Sequence, residues 1–278
     1  MKYTLSIFLL TTVFFVCDVA NAQLNQGRPA ILEEIGVDEK LGESIPLDLQ
    51  FYNSDGEMVL LGDLIQDGKP VLLNPLYYEC PILCGLVLDA VFKVVNELSW
   101  SPGNQYTIIS FSIDPEETPE MAARSKEQYL TALDRDGAEN GWHFLTGPEE
   151  SIKQLTDAIG FRYKYDERTG EYLHLASIMM ISPTGTITRY LYGAVFREFD
   201  LRNALFEAAE GTIGSTLDRV LFYCFTYDPS SQSYVPVAMN IMKLGGLATV
   251  IFLGIFLSVF WRRERGSSQS INPKSIDE

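Results

Sequence analysis

Two cysteines stand close together in the stretch YYECPILCGLVLDAV, which covers residues 77 to 91. If the turn from Cys80 to Cys84 is helical, both sulfurs lie on one face, because residues i and i+4 of a helix point the same way. Two thiolates form a soft pair that suits Cu(I) or Zn(II). The same pair could instead close a disulfide across a short loop. The spacing alone therefore leaves metal binding and redox chemistry open.

The chain contains two histidines, and their settings differ. His143 lies in WHFLTG between large apolar residues, which predicts a histidine packed inside a strand rather than a ligand. His174 lies in EYLHLASIMM, directly before an apolar run, on a loop edge where its ring could reach a neighbouring site. Taken alone, a histidine in that position is more often structural.

Strand and helix signals alternate along the middle of the chain, which predicts an α/β fold with helices on the faces of a central sheet. Cys80 and Cys84 fall where the first strand of a βαβ unit ends and its helix begins. That junction lies at the carboxyl edge of the sheet, where α/β folds hold their sites. The amino end of a helix also stabilises a thiolate.

The predicted elements can be stated from their start and stop signals. In chain order they are a hairpin turning at Asp55-Gly56, a strand after Pro70, a helix with the stripe Leu88, Val91, Phe92, Val95 and Leu98, the strand YTIISFSI, a helix opened by Thr118-Pro119-Glu120, the strand WHFLTG, a helix from Glu149 to Ile159, a strand pair turning at Pro183 to Gly185, and a helix through Leu201 and Ala208.

The amino-terminal segment has the pattern of a secretory signal peptide. Lys2 precedes an apolar stretch over residues 4–16 that is too short to span a bilayer, and Ala20-Asn21-Ala22 fits a cleavage site before Gln23. Val16 stands before Cys17 where a lipoprotein signal needs a small residue, which argues against lipidation.

Near the other end, residues 244–261 carry no charge and, with the apolar residues before them, are long enough for one transmembrane helix. Lys243 interrupts the apolar stretch near its outer end, and its side chain can snorkel to the membrane interface. Arginines at 262, 263 and 265 follow directly, and positive charge marks the cytoplasmic side. We therefore expect the main domain to be exported and the tail to remain in the cytoplasm.

The formal net charge of −16 argues against nucleic acid as a partner. The exported part is large enough to fold without a disulfide, so two close cysteines there favour chemistry over structure. Cys224, in LFYCFTYDP, stands among aromatic residues and is predicted to be a buried hydrophobic cysteine. It could alternatively serve as a resolving thiol or an extra metal contact, although nothing local favours either.

Four motifs in order give the chain its resemblance to a known family. They are CPILC at the start of the first helix, SIDPEETPE after the next strand, HFLTG, and LHLASIMMISPTG, where a histidine precedes a late apolar strand. From about residue 45 to 205 the chain resembles the Sco/SenC proteins, exported thioredoxin-fold copper chaperones of cytochrome c oxidase assembly. The resemblance implies a thioredoxin-like fold.

The resemblance also implies a site. It makes Cys80, Cys84 and His174 copper ligands, Cys80 and Cys84 a redox-active pair, and Asp114 the acidic neighbour of the site. Two thiolates and one imidazole form a plausible trigonal Cu(I) site, and the imidazole also suits Cu(II).

The chain departs from the better-known family members in two ways. It has Gly85 where they have proline after the second cysteine, and it has a carboxyl-terminal helix where they usually have an amino-terminal anchor. These departures indicate a divergent bacterial branch.

Two functions from different classes use the same cysteines. The first is a membrane-anchored copper metallochaperone that delivers copper to a cuproprotein such as an oxidase copper-binding subunit. The second is a thiol–disulfide reductase that keeps a client's copper-site cysteines reduced, which needs Cys80 and Cys84 but not His174. Peroxidase chemistry is a weaker third interpretation, because Tyr77 stands where a Thr-x-x-Cys pocket would have threonine.

The predicted organisation places the main domain in the periplasm and the carboxyl terminus in the cytoplasm, across a bacterial inner membrane. The predicted parts are a signal peptide at 1–22, a linker at 23–43, a thioredoxin-like copper-binding domain at 44–210, a juxtamembrane segment at 211–236, a transmembrane helix at 237–261 and a cytoplasmic tail at 262–278.

Overall fold

The structure is a computed structural model that describes residues 34–65, 68–79, 83–133, 135, 137–209, 225–228 and 233–267. The predicted signal peptide, Cys17, Cys80, Cys224 and the last part of the predicted tail lie outside these residues. Some side chains within helices and strands are also outside the description, and that of Cys84 is one of them.

A five-stranded mixed sheet forms the centre of the domain. Its strands are β4 (Val71–Leu76), β5 (Thr107–Ser112), β6 (Trp142–Leu145), β10 (Ser177–Ile181) and β11 (Ile187–Tyr192). The order is β11-β10-β4-β5-β6, in which β4, β5 and β6 run parallel while β10 is antiparallel to both β4 and β11. All residues of β4, β5 and β10 are buried, which explains why their sequences are nearly continuous apolar runs.

Six helices accompany the strands in the described part of the chain. They are α1 (Leu83–Glu97), α2 (Pro119–Leu133), α3 (Ala138–Gly141), α4 (Glu149–Ala158), α5 (Glu198–Ala208) and α6 (Ala238–Ser267). The shorter strands are β1 (Gly36–Val37), β2 (Gln50–Tyr52), β3 (Met58–Leu60), β7 (Phe161–Arg162), β8 (Lys164–Asp166), β9 (Glu171–Leu173), β12 (Phe225–Asp228) and β13 (Ser233–Pro236), and a 3-10 turn covers Leu61–Leu64.

This arrangement confirms the predicted α/β class and the thioredoxin-like fold. The hairpin at Asp55-Gly56 forms as β2 and β3, and Gly56 adopts a left-handed φ of 79° there. Helix α2 begins at Pro119, a position that suits proline because its missing N–H would have had no partner in the helix. The apolar stripe predicted for α1 belongs to the core, with Phe92 only partly buried.

Residues 36–43 differ from the predicted linker, because they are built into the domain. β1 pairs with β7, and the Asp38 N–H donates to the Gly160 carbonyl at 2.8 Å. The Gly42 N–H donates to Ile187 and the Ile187 N–H donates to Glu43, at 2.8 and 2.9 Å. The segment lacks a sequence period because it is held by backbone bonds, which side-chain patterns do not reveal.

A second hairpin, β12 with β13, packs on α5 through one buried aromatic residue. Tyr234 is 5% exposed; its backbone N–H donates to Asp200 at 3.1 Å and its hydroxyl donates to Glu207 at 2.7 Å. Glu207 also pairs with Arg189, and Asp200 with Arg197. The buried Asp200 and the partly buried Glu207 therefore each have a cation and Tyr234 as partners, which offsets the cost of burying their charge.

Helix α6 follows this hairpin after a single residue, Val237. Within it, Asn240–Phe260 is long and apolar enough to cross a membrane, with a mean hydropathy of 2.0, and none of that window is buried against the rest of the protein. An unburied apolar helix fits the predicted carboxyl-terminal anchor. The helix continues past the predicted end at 261 to Ser267, through the cluster of arginines.

Candidate functional site

The junction between β4 and α1 lies at the carboxyl edge of the three parallel strands. β4 ends at Leu76 and α1 begins at Leu83, so Cys84 is the second residue of the helix. Cys80 falls in the connection, outside the described residues, and the Cys84 side chain is likewise not described. The predicted strand-to-helix setting holds for the Cys84 backbone, while the geometry of the two sulfurs remains a prediction.

His174 lies at the same edge of the sheet. It precedes β10, whose antiparallel pairing with β4 brings its start beside the end of β4. The ring is 5% exposed and packs edge-on against Tyr77, with centroids 6.2 Å apart. Because Tyr77 is only three residues before Cys80, the fold brings the late histidine next to the segment that leads into the cysteine pair.

One hydrogen bond fixes the chemistry of the His174 ring. Its Nδ1 lies 3.0 Å from the Leu175 carbonyl oxygen. A carbonyl oxygen can only accept, so this hydrogen bond requires a proton on Nδ1, and in the neutral ring Nε2 would be the nitrogen that could bind a metal. Bonds of this kind orient metal-binding histidines in proteins.

The rings of Tyr77 and Phe161 contact His174 and belong to a larger aromatic cluster. The Phe161 ring lies 5.6 Å from that of His174, and Tyr172 lies 5.8 Å from Tyr77. Tyr163 continues the cluster, 5.7 Å from Tyr172. Aromatic contacts are worth about 0.5–1.5 kcal/mol each beyond burial. The contacts with Tyr77 and Phe161 therefore restrict rotation of the His174 ring.

Asp114 stands just beyond the end of β5, on this same edge. It is partly buried, and its carboxylate accepts the Glu116 N–H at 2.8 Å. Burial is the main cause that raises the pKa of Tyr172 to about 12, and the charge of Asp114 is the next. The charge of Asp114 thus acts on the aromatic cluster beside His174, and its role as the acidic neighbour of the site stays a prediction.

Glu117 is a site residue that the sequence analysis missed. Its side chain is 7% exposed and its carboxylate accepts three bonds, from the Tyr78 N–H at 2.8 Å, the Glu79 N–H at 2.7 Å and the Ser112 hydroxyl at 2.6 Å. Burial raises its pKa, these three bonds oppose that shift, and the charge of Asp114 adds to it. In sequence Glu117 is one of several acids in a row, so only its burial distinguishes it.

Tyr78 is held a second time through its side chain. Its hydroxyl lies 3.2 Å from the Ser110 carbonyl and 3.0 Å from the Leu145 carbonyl, on β5 and β6. Burial raises the pKa of Tyr78 well above its ordinary value, and the charge of Glu117 acts in the same direction. The chain entering Cys80 is therefore tied down at both backbone and side chain.

His143 lies on β6 near the amino ends of the parallel strands, away from the cysteine junction. It borders a cavity of about 290 Å³ together with Lys69 and Thr107. Burial, helped by the charge of Lys126, lowers the pKa of His143 to about 4. It is thus a neutral, partly buried strand histidine.

Among the side chains that the structure describes, no three His, Cys, Asp or Glu groups converge on a common point. That set includes His174 and Asp114 but neither sulfur of the cysteine pair. The described geometry therefore brings His174, Asp114 and Glu117 to the edge where the cysteine helix begins, and the copper ligand set stays a prediction.

The fold and this junction define the class: a thioredoxin-like domain with Cys84 at the start of its first long helix and Cys80 four positions earlier in the sequence. The family model described as SCO1/SenC matches residues 38–200, more than half of the chain. The chain belongs to the SCO1/SenC family, which confirms the resemblance drawn from its motifs.

Several solved structures are similar to this chain. Two Aquifex aeolicus VF5 proteins, described as candidate electron transfer and electron transport proteins, are 29% and 30% identical, with TM-scores of 0.56 and 0.51. The matches cover 62% and 61% of this chain and 96% and 98% of theirs. Bradyrhizobium japonicum ScoI, solved with copper bound, is 21% identical with a TM-score of 0.42, over 62% of this chain and 96% of its own. The comparison with curated proteins finds no significant match.

Proposed function

We propose that this protein is a membrane-anchored copper metallochaperone that passes copper to a cuproprotein, with Cys80, Cys84 and His174 as ligands. The observation that carries the proposal is the contact of His174 with Tyr77, three residues before Cys80. Nearly ninety residues separate His174 from Cys84, so only the fold could bring the histidine beside the segment that leads into the cysteine pair. A neutral imidazole with its lone pair on Nε2 suits copper in either oxidation state.

Copper in this proposal is cargo, and the site must both hold and release it. Two thiolates and one imidazole leave room for an incoming ligand, so the metal can move to a client by ligand exchange. The cysteines can bind the metal only as thiolates, so oxidation of the pair to a disulfide would remove both sulfur ligands and prevent tight binding. The redox state of Cys80 and Cys84 would thus control delivery.

The second candidate is a thiol–disulfide reductase for a client's copper-site cysteines. The backbone position of Cys84 favours it, because the second residue of a helix lies in the positive end of the helix dipole, which lowers a thiol pKa. This function needs no imidazole, so His174 separates the two candidates.

Titration of the full-length protein with Cu(I), wild type against His174→Ala, tests the proposal. The chaperone function predicts that the variant binds copper more weakly while its Cys80–Cys84 disulfide chemistry stays nearly intact. If His174→Ala binds copper like the wild type, the reductase takes the place of the chaperone. A distance well above about 6 Å between the His174 ring and either sulfur, in a metal-free experimental structure, would lead to the same conclusion.

We further propose that the domain acts in the periplasm of a bacterium, on an oxidase copper-binding subunit or a similar client. The apolar window of α6, followed by arginines, supports a single span with a cytoplasmic carboxyl terminus. A reporter fused after Glu278 should be active in the cytoplasm, and one fused near Ser230 should be active outside it. The reverse pattern would overturn the orientation.

A further inference from the structure

We propose that Glu117 is a positioning residue that holds the chain entering Cys80 in the conformation that binds copper. The two N–H groups it accepts belong to Tyr78 and Glu79, the last two residues before the cysteine. This inference rests on the proposed copper function. It adds a residue that acts through the backbone of the segment before Cys80.

The contacts make Glu117 hard to replace. Backbone N–H groups of two successive residues converge on one carboxylate, and the Ser112 hydroxyl occupies the same group. A carboxylate has only acceptor oxygens, whereas the amide of glutamine has one acceptor and one donor. Glutamine would therefore turn an N–H₂ group toward at least one backbone donor, and part of the connection before Cys80 would be released.

The position of Glu117 in the fold explains how it links two elements. It lies between β5 and α2, and its partners follow the end of the neighbouring strand β4. Ser112, the last residue of β5, also accepts the Asp114 N–H at 3.0 Å through its hydroxyl. Glu117 and Ser112 thus join the turn at Asp114 to the segment Tyr78-Glu79 before Cys80. A change at Glu117 should therefore disturb both.

Glu116 provides a matched control. It is the adjacent residue with the same side chain, but it is exposed, while Glu117 is buried. Glu116→Gln and Glu117→Gln remove the same charge from nearly the same place. A difference between the two variants therefore reports the hydrogen bonds and not the net charge of this edge.

The experiment uses the full-length chain in detergent micelles. Amide hydrogen exchange follows the Tyr78 and Glu79 N–H groups, and competition with a chromophoric Cu(I) chelator gives the affinity for Cu(I). In Glu117→Gln we expect fast exchange at these amides, unchanged protection in the central sheet, and Cu(I) binding about 10- to 100-fold weaker, as for other groups that orient ligands. Glu116→Gln should match the wild type in all three.

A readout without copper keeps this inference separate from the proposed function. Iodoacetamide alkylation of Cys80 should be several-fold faster in Glu117→Gln than in Glu116→Gln, because the connection before the thiol is released. If the wild type binds no Cu(I), the proposed function fails, and the alkylation rates still test whether Glu117 holds the segment before Cys80. If the two variants exchange, bind and alkylate alike, the positioning role is overturned.

Glu117→Asp covers the case in which Glu117→Gln does not fold. Aspartate keeps the charge and the acceptors but is one methylene shorter, so it cannot reach all three donors at once. We expect a cooperative thermal transition and an intermediate loss of Cu(I) affinity. Wild-type amide protection and wild-type affinity in Glu117→Asp would contradict the proposal.

Discussion

The two histidines of the chain lie toward opposite edges of one sheet, and they show what separates a candidate ligand from a packing residue. His174 is at the carboxyl edge of the parallel strands, beside the cysteine helix, with its Nδ1 committed to a carbonyl. His143 is near the amino edge, beside Lys126, with its pKa lowered to about 4. His174 is the more deeply buried of the two.

Deeper burial therefore does not identify the packing histidine, and the neighbours of each ring separate the two instead. At the carboxyl edge a helix begins, its amino end favours negative charge, and backbone groups are held in place by Glu117. At the amino edge Lys126 and burial both keep the imidazole neutral, and the described cavity beside it contains no cysteine. We therefore expect the chemistry at the strand-to-helix junction, and the following predictions test that contrast.

The largest effect is expected at the cysteines. Cys80→Ser or Cys84→Ser should lower the Cu(I) affinity by on the order of 10³-fold or more, because one thiolate and one imidazole leave an incomplete soft site. Competition with a Cu(I) chelator measures the loss. Cys224→Ser is the control and should bind like the wild type. An equal loss in that variant would make Cys224 part of the site.

The next effect separates the histidines directly. The Cu(II) complex of the wild type should show nitrogen hyperfine coupling from one imidazole in its electron paramagnetic resonance spectrum. His174→Ala should lose this coupling, because Nε2 of His174 is the predicted nitrogen donor. His143→Ala should keep it unchanged. Loss of the coupling in His143→Ala would place the ligand at the wrong edge of the sheet.

A third prediction concerns pH and His143. Its pKa is about 4 in the folded protein, against about 6.5 in the unfolded chain. The unfolded state therefore binds more protons between these values, so stability is full above pH 6.5 and falls as the pH drops toward 4. The loss should be about 1–3 kcal/mol, after discounting for partial exposure.

Denaturant unfolding of wild type and His143→Gln at pH 7 and pH 4 measures this difference. The variant should lack the contribution from His143 while keeping the pH dependence that arises from the acidic groups. Equal losses in the two proteins would mean that the imidazole is not kept neutral by its strand.

The smallest effect, on the free energy of unfolding, is expected in the aromatic cluster beside His174. Tyr172→Leu removes ring contacts to Tyr77 and Tyr163, and it should lower the free energy of unfolding by about 1 kcal/mol. Tyr165→Leu, at a 49% exposed ring of the same cluster, should cost less. Thermal unfolding of both variants decides. A larger loss at Tyr165 would indicate that the cluster is centred nearer the surface.

Much of this fold could be predicted because local signals and burial agree. The apolar runs of β4, β5 and β10, the Thr118-Pro119 start of α2 and the glycine after α4 each act within a few residues. Residues 36–43 could not be placed in the same way. Their bonds to Gly160 and Ile187 join distant backbone groups, and their side-chain contacts, such as Asp38 with Arg162, also join residues far apart in the sequence.

The candidate site likewise contains residues that local motifs predicted and one that they did not. Motif order pointed to His174 and Asp114, and the structure puts both at the edge where the cysteine helix starts. Glu117 was missed because buried and exposed acids look alike in a run such as Asp114 to Glu120. Only the three donors around its carboxylate identify it, and two of those are backbone groups from a different strand connection.

The packing of Tyr234 on α5 affects how the domain meets a partner protein. Val237 alone separates the end of β13 from the start of α6, and an extended residue spans at most about 3.6 Å. With α6 inserted in a bilayer, the domain would thus move together with the helix, because no long flexible linker joins them. Its search for a partner would be confined to a thin layer next to the membrane, which raises the effective concentration of co-embedded clients and lowers that of free ones.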